Sequence, residues 1–193
     1  MPLRLPPPPP NGLEIINEAL VGLFSTPSHA ARALSVEAGP RLEAAAPHLV
    51  YFVGLDEVAQ GRILSAARPT SWRYILLEGD MAHAAAELAV DESGKVEGFS
   101  HFDEGPFVES TIAGVAFAEQ EETNRGGAYE LRLLSVPSLY LVALWLHGAH
   151  DLLVPLAPAP GGLEPEHAYT EEQIFSALLE LIERRTSLDD LMP

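Results

Sequence analysis

Residues 72–102 read WRYILLEGDMAHAAAELAVDESGKVEGFSHF. This stretch decides the fold class. WRYILLEG is rich in β-branched, aromatic and aliphatic residues, and Gly79-Asp80 supplies turn chemistry. VEGFSHF is a third β-type run, set off by the turn residues DESGK. The segment between them, MAHAAAELAV, is at odds with its own propensity, because alanine favours helix. Only short turns flank it, so a strand is expected and the three runs form an antiparallel meander.

A second β region follows at 129–156, YELRLLSVPSLYLVALWLHGAHDLLVPL. It is the most apolar part of the chain. A membrane-spanning helix needs about 20 mostly apolar residues in a row. Here Glu130, Arg132, Pro137, His147 and Asp151 interrupt the run, so no membrane insertion is expected. Pro137-Ser138 and 147–151 read as breaks between strands at 129–136, 139–146 and 152–156. In the first, Tyr129, Leu131 and Leu133 share one face while Glu130 and Arg132 share the other. In the second, Leu139, Leu141, Ala143 and Trp145 alternate with Tyr140, Val142, Leu144 and Leu146, so both faces are apolar. Such a strand must be covered on both sides or must meet another chain. A helix over 139–146 is the competing assignment, since Leu and Ala favour it.

Helical periodicity frames these strands. Asn11 can cap a helix with Leu13, Ile16, Leu20, Leu23 and Phe24 on one apolar face, and Thr26-Pro27 starts a second helix through Leu34. A short strand at Leu49–Val53 leads into one or two helical turns closed by Gly61. Pro106 opens a helix through Val108, Ile112 and Val115. Thr170 and Gln173 form a capping box for the last helix, with Ile174, Leu178, Leu181 and Ile182 buried. The expectation is an α+β fold with a curved, mainly antiparallel sheet of about five to six strands, packed by N-terminal, central and C-terminal helices. Residues 1–10 read as a proline-rich flexible arm, 11–186 as one domain and 187–193 as a short tail.

Bulk composition excludes several functions. The net charge is −17, with 11 basic residues against 28 acids. Phosphate backbones are bound chiefly through Lys and Arg, so nucleic acid is not an expected partner. The absence of cysteine removes thiol nucleophiles, CxxC redox chemistry and thiolate metal sites. Ten of the basic residues are Arg, and Ala, Pro and Leu abound, which suggests a bacterial source with a GC-rich genome. The beginning of the chain shows proline where a secretory signal would be apolar, so a cytoplasmic protein is expected.

No GxGxxG, P-loop or nucleophile-elbow motif occurs. Ser100 precedes His101, but neighbours in a strand point to opposite faces. His101, Asp103 and Glu104 are candidates for general acid-base work, against the plainer role of acids before a helix. His147, His150 and Asp151 are the one close set of ligand-type side chains. Their HxxH spacing in a turn is not the helical HExxH of zinc enzymes, so a polar hairpin tip is expected, with no metal and no cofactor. Trp72 with Arg73 could form an aromatic–Arg recognition patch.

Two functional expectations result. The leading one is a non-enzymatic accessory or assembly protein that binds another protein or a second copy of itself through Tyr140, Leu144, Trp145, Trp72 and Arg73. The alternative is a small-molecule-binding domain that uses the concave face of the sheet, with His101, Asp103 and Glu104 at one end and Trp72 with Arg73 at another, or a metal-dependent hydrolase built on His147 and His150.

Overall fold

A computed structural model describes residues 3–25, 42–125 and 128–189. In chain order the elements are α1 (Gly12–Ser25), β1 (Glu43–Phe52), α2 (Leu55–Ala59), β2 (Arg68–Glu78), β3 (Met81–Val90), β4 (Val96–Asp103) and α3 (Pro106–Arg125). There follow β5 (Glu130–Val136), a 3-10 turn (Pro137–Leu139), β6 (Leu141–His147), β7 (Leu152–Pro155) and α4 (Glu171–Asp189). The strands form a mixed, open seven-stranded sheet in the order β4-β3-β2-β1-β5-β6-β7. The fold is α+β as expected, with seven strands where five to six were foreseen. The strand hardest to foresee is β1, which runs ten residues where only Leu49–Val53 read as strand. Its first half, EAAAPH, shows no apolar alternation, and Ala46 has φ 47°. The second helix foreseen from Thr26 lies outside the described residues.

The residues gather into two compact units. One comprises Leu5–Val50 and Pro69–Ile112 and holds the meander. β2 pairs antiparallel with β3, and β3 with β4. Strand alternation sends Trp72, Tyr74 and Leu76 to one face, together with Ala84, Ala86 and Leu88 of β3, where they bury Ile16 and Leu20 of α1. The alanines therefore serve the strand rather than oppose it, because their small side chains accept packing that larger residues would block. On the other face Ile75 and Ala85 pack with Val108 of α3. The β3–β4 turn is held by Asp91, whose carboxylate accepts hydrogen bonds from the Ser93 hydroxyl (2.6 Å) and the Lys95 amide (3.0 Å). These bonds hold its pKa below the ordinary value. Gly94 in the same turn has φ +81°, a conformation that side chains with a Cβ rarely adopt.

The other unit comprises Met1–Arg4, Tyr51–Arg68 and Ala113–Pro193. β5, β6 and β7 pair antiparallel, so 141–147 is strand and not helix. Leu141, Ala143 and Trp145 pack with Ile174 and Leu178 of α4. On the opposite face Leu144 meets Gly114 of α3, where a Cβ would lie 2.9 Å from a Leu144 methyl. The two apolar faces of β6 are thus both covered by this chain. The foreseen capping box is present: the Thr170 amide donates to Gln173 Oε1 (2.8 Å) and the Gln173 amide to Thr170 Oγ1 (3.3 Å). The N-terminal arm is tied down at its start. The Arg4 amide donates to the Tyr129 carbonyl and its carbonyl accepts from the Leu131 amide, each at 2.9 Å, with Leu3 buried.

Candidate functional site

Antiparallel register places Arg73 of β2 opposite Glu87 of β3, and Glu87 opposite His101 of β4. Asp103, two residues on, lies on the same face as His101. The result is a row of polar side chains on the meander face that carries Ile75 and Ala85. Arg73 is buried, and one of its nitrogens, Nη1, donates both to Glu87 Oε1 (2.7 Å) and to Asp103 Oδ2 (2.8 Å). Ser71 donates to the second Glu87 oxygen at 2.6 Å. His101 Nε2 lies 3.2 Å from the second Asp103 oxygen, and His101 Nδ1 lies 2.8 Å from Ser100 Oγ. The row runs from buried to open: side-chain exposure is 7% at Arg73, 12% at Glu87, 33% at Asp103 and 50% at His101.

Ser100 reaches the imidazole because β4 is bulged. Glu87 pairs with His101 while Leu88 pairs with Phe99, which leaves Ser100 as the extra residue. A bulge turns two successive side chains toward one side. This overturns the expectation that Ser100 and His101 would point to opposite faces.

Four buried polar atoms in this unit have no hydrogen-bond partner among the described residues: Arg73 Nε, His48 Nε2, Tyr74 Oη and His83 Nε2. His48 Nδ1 contacts the Ala46 carbonyl at 2.6 Å and so carries the proton, which leaves Nε2 as an acceptor. Burial drives the His48 pKa down to about 4, with the charge of Arg73 acting the same way against the Ala46 hydrogen bond. His48 is therefore a neutral histidine. The Arg73 donor belongs to the guanidinium that braces the row.

The foreseen residues are redistributed. Arg73, His101 and Asp103, chosen from two separate motifs, come together. Glu104 lies exposed in the loop beyond β4, outside the hydrogen-bonded row. Trp72 is buried on the face opposite Arg73, so the aromatic–Arg patch is split by the strand alternation. Leu144 and Trp145 are buried by this chain's own helices, and only Tyr140 of the expected docking set is exposed, at 73%. Tyr140 has φ 54° and precedes β6, so it does not continue the strand's alternation. At the HGAHD turn, Asp151 Oδ1 takes hydrogen bonds from His147 Nδ1 (2.8 Å) and the Gly148 amide (3.1 Å), which closes the hairpin tip. Among the described residues, the group of side chains placed to hold a metal is instead Glu87, His101 and Asp103. Glu87 and Ser71 escaped the sequence reading. The available signal was the lone charged residue inside the alanine-rich β3.

Chemically, the row carries one guanidinium against two carboxylates, so with neutral imidazole its formal charge is −1. It is suited to a cation or a zwitterion and unsuited to an anion. Compared with protein-family models, curated proteins and solved structures, the chain matches none.

Proposed function

We propose that this chain is a small-molecule-binding domain whose ligand, cationic or zwitterionic, sits on the polar row of β2, β3 and β4. The observation that carries this reading is the single Arg73 nitrogen bridging Glu87 and Asp103. Two charges of one sign are thereby held rigidly side by side, at the buried end of a row that opens at His101. Ionic groups withdrawn from water cost stability unless their partners compensate them fully. Here the compensation is short of balance by one charge, which a ligand carrying positive charge supplies. The reading as a protein-binding accessory protein has less support, because Leu144, Trp145, Trp72 and Arg73 are buried within the chain itself.

The test is native mass spectrometry of the protein purified from its own host, alongside an Asp103→Asn variant. A small mass carried by the wild type and lost from the variant is the expected result. A mass that the variant retains in full would move the ligand away from this row.

A further inference from the structure

The row has the parts of a metal centre. Glu87, His101 and Asp103 each offer one ligand atom, and these atoms lie within 4.8 Å of one another. Around a first-row ion with bonds of about 2.1 Å, ligand atoms sit roughly 3 to 4 Å apart, so closure asks only a modest movement of side chains. His101, half exposed on a bulged edge strand, is free to make it and leaves a path for the ion.

Each prospective ligand is also oriented from behind. Glu87 is fixed by Ser71 and Arg73, Asp103 by Arg73, and His101 by the Ser100 hydroxyl at its Nδ1. Metal-binding side chains are commonly held in this way, and a ligating imidazole donates its other N–H outward. When His101 Nε2 takes a metal, its proton resides on Nδ1 and is donated to Ser100 Oγ. The charge fits as well. Two carboxylates and one guanidinium leave a formal charge of −1, which a divalent ion overcompensates by one.

From this arrangement we infer that Glu87, His101 and Asp103 form a divalent transition-metal site, with Ser100, Ser71 and Arg73 as its positioning residues. The inference rests on the ligand-site reading above and names its ligand. One imidazole and two carboxylates, with no thiolate, suit zinc or manganese rather than copper(I). Three protein ligands leave at least one coordination position open to solvent.

The experiment is isothermal titration of chelator-treated full-length protein with zinc chloride and, separately, manganese chloride. One ion per chain is expected in the wild type. The His101→Ala variant should lose it by a factor of at least ~100, and Ser100→Ala should weaken it by about 10-fold, the effect of removing an outer partner. His147→Ala should bind as the wild type does. Circular dichroism would verify that each variant is folded, which the exposure of His101 and Ser100 favours. Wild-type affinity no tighter than millimolar, or full binding by His101→Ala, would overturn the metal site. If metal fails to bind while the co-purified mass still depends on Asp103, the ligand site stands with an organic occupant and only this inference falls.

Discussion

Replacing Arg73 by Met tests the buried row most directly. The side chain is almost fully covered, as is that of Glu87, so the surface value for an ion pair does not apply. Removing one partner of a buried pair strands the other charge, at a cost of about 3 to 5 kcal/mol. Two carboxylates lose their counter-charge here, although Asp103 is one-third exposed and recovers part of the loss from water. The lower part of that range, about 3 kcal/mol, is therefore expected. With a urea dependence of about 2 kcal/mol per molar, the unfolding midpoint should fall by about 1.5 M. The chain has two tryptophans, Trp72 and Trp145, one in each compact unit. In a Trp145→Phe background the fluorescence of Trp72 reports on the unit that holds the row. Replacing Glu87 by Met as well should restore at least half of the loss, because an apolar pair leaves less stranded charge. A midpoint for Arg73→Met within 0.3 M (about 0.6 kcal/mol) of the parent would refute the reasoning, since it would mean that the carboxylates need no buried cation.

Other perturbations have defined outcomes. Because the folded pKa of His48 lies below its unfolded value, the unfolded chain binds the extra proton between pH 6.5 and about 4. The stabilisation is thus full above pH 6.5, falls as pH drops to about 4 and then levels. At about 1.4 kcal/mol per pH unit, the loss by pH 3 is about 3 kcal/mol. His48→Asn, which keeps a donor for the Ala46 carbonyl, should flatten that part of the stability profile in urea titrations at stepped pH. Gly114→Val drives a branched side chain into Leu144 and Leu156 and should cost about 2 kcal/mol in thermal unfolding, in the range of overpacked cores. Thr170→Ala removes half of the α4 capping box and should cost about 1 kcal/mol in the same assay. Leu144→Asp should fail to give a folded unit containing β6, as judged by near-ultraviolet dichroism, because Leu144 is fully buried with no partner for a charge.

What the sequence determined by itself was local. Turn residues at 79–80 and 91–95 marked the meander, even through the alanines of β3, because a short turn leaves the chain nowhere else to go. The Thr170–Gln173 box marked the last helix, since both halves of a cap lie within four residues. Apolar residues on both faces of 139–146 showed that β6 had to be covered twice, but not by what. That answer waited on α4 and on Gly114 of α3, which lie far away along the chain.

The site was decided by register, and register was decided by bulges. Counted from Glu78↔Met81 without a shift, Arg73 would face Ala86 rather than Glu87. Counted from Val90↔Val96 without a shift, Glu87 would face Phe99 rather than His101. A one-residue slip sends every side chain to the opposite face, so no reading of the separate strands could bring these groups together. The shift between Leu76 and Leu77 and the two in the β3–β4 pair align Arg73, Glu87 and His101. Strand composition fixes which residues can alternate; only the packed sheet fixes which of them meet.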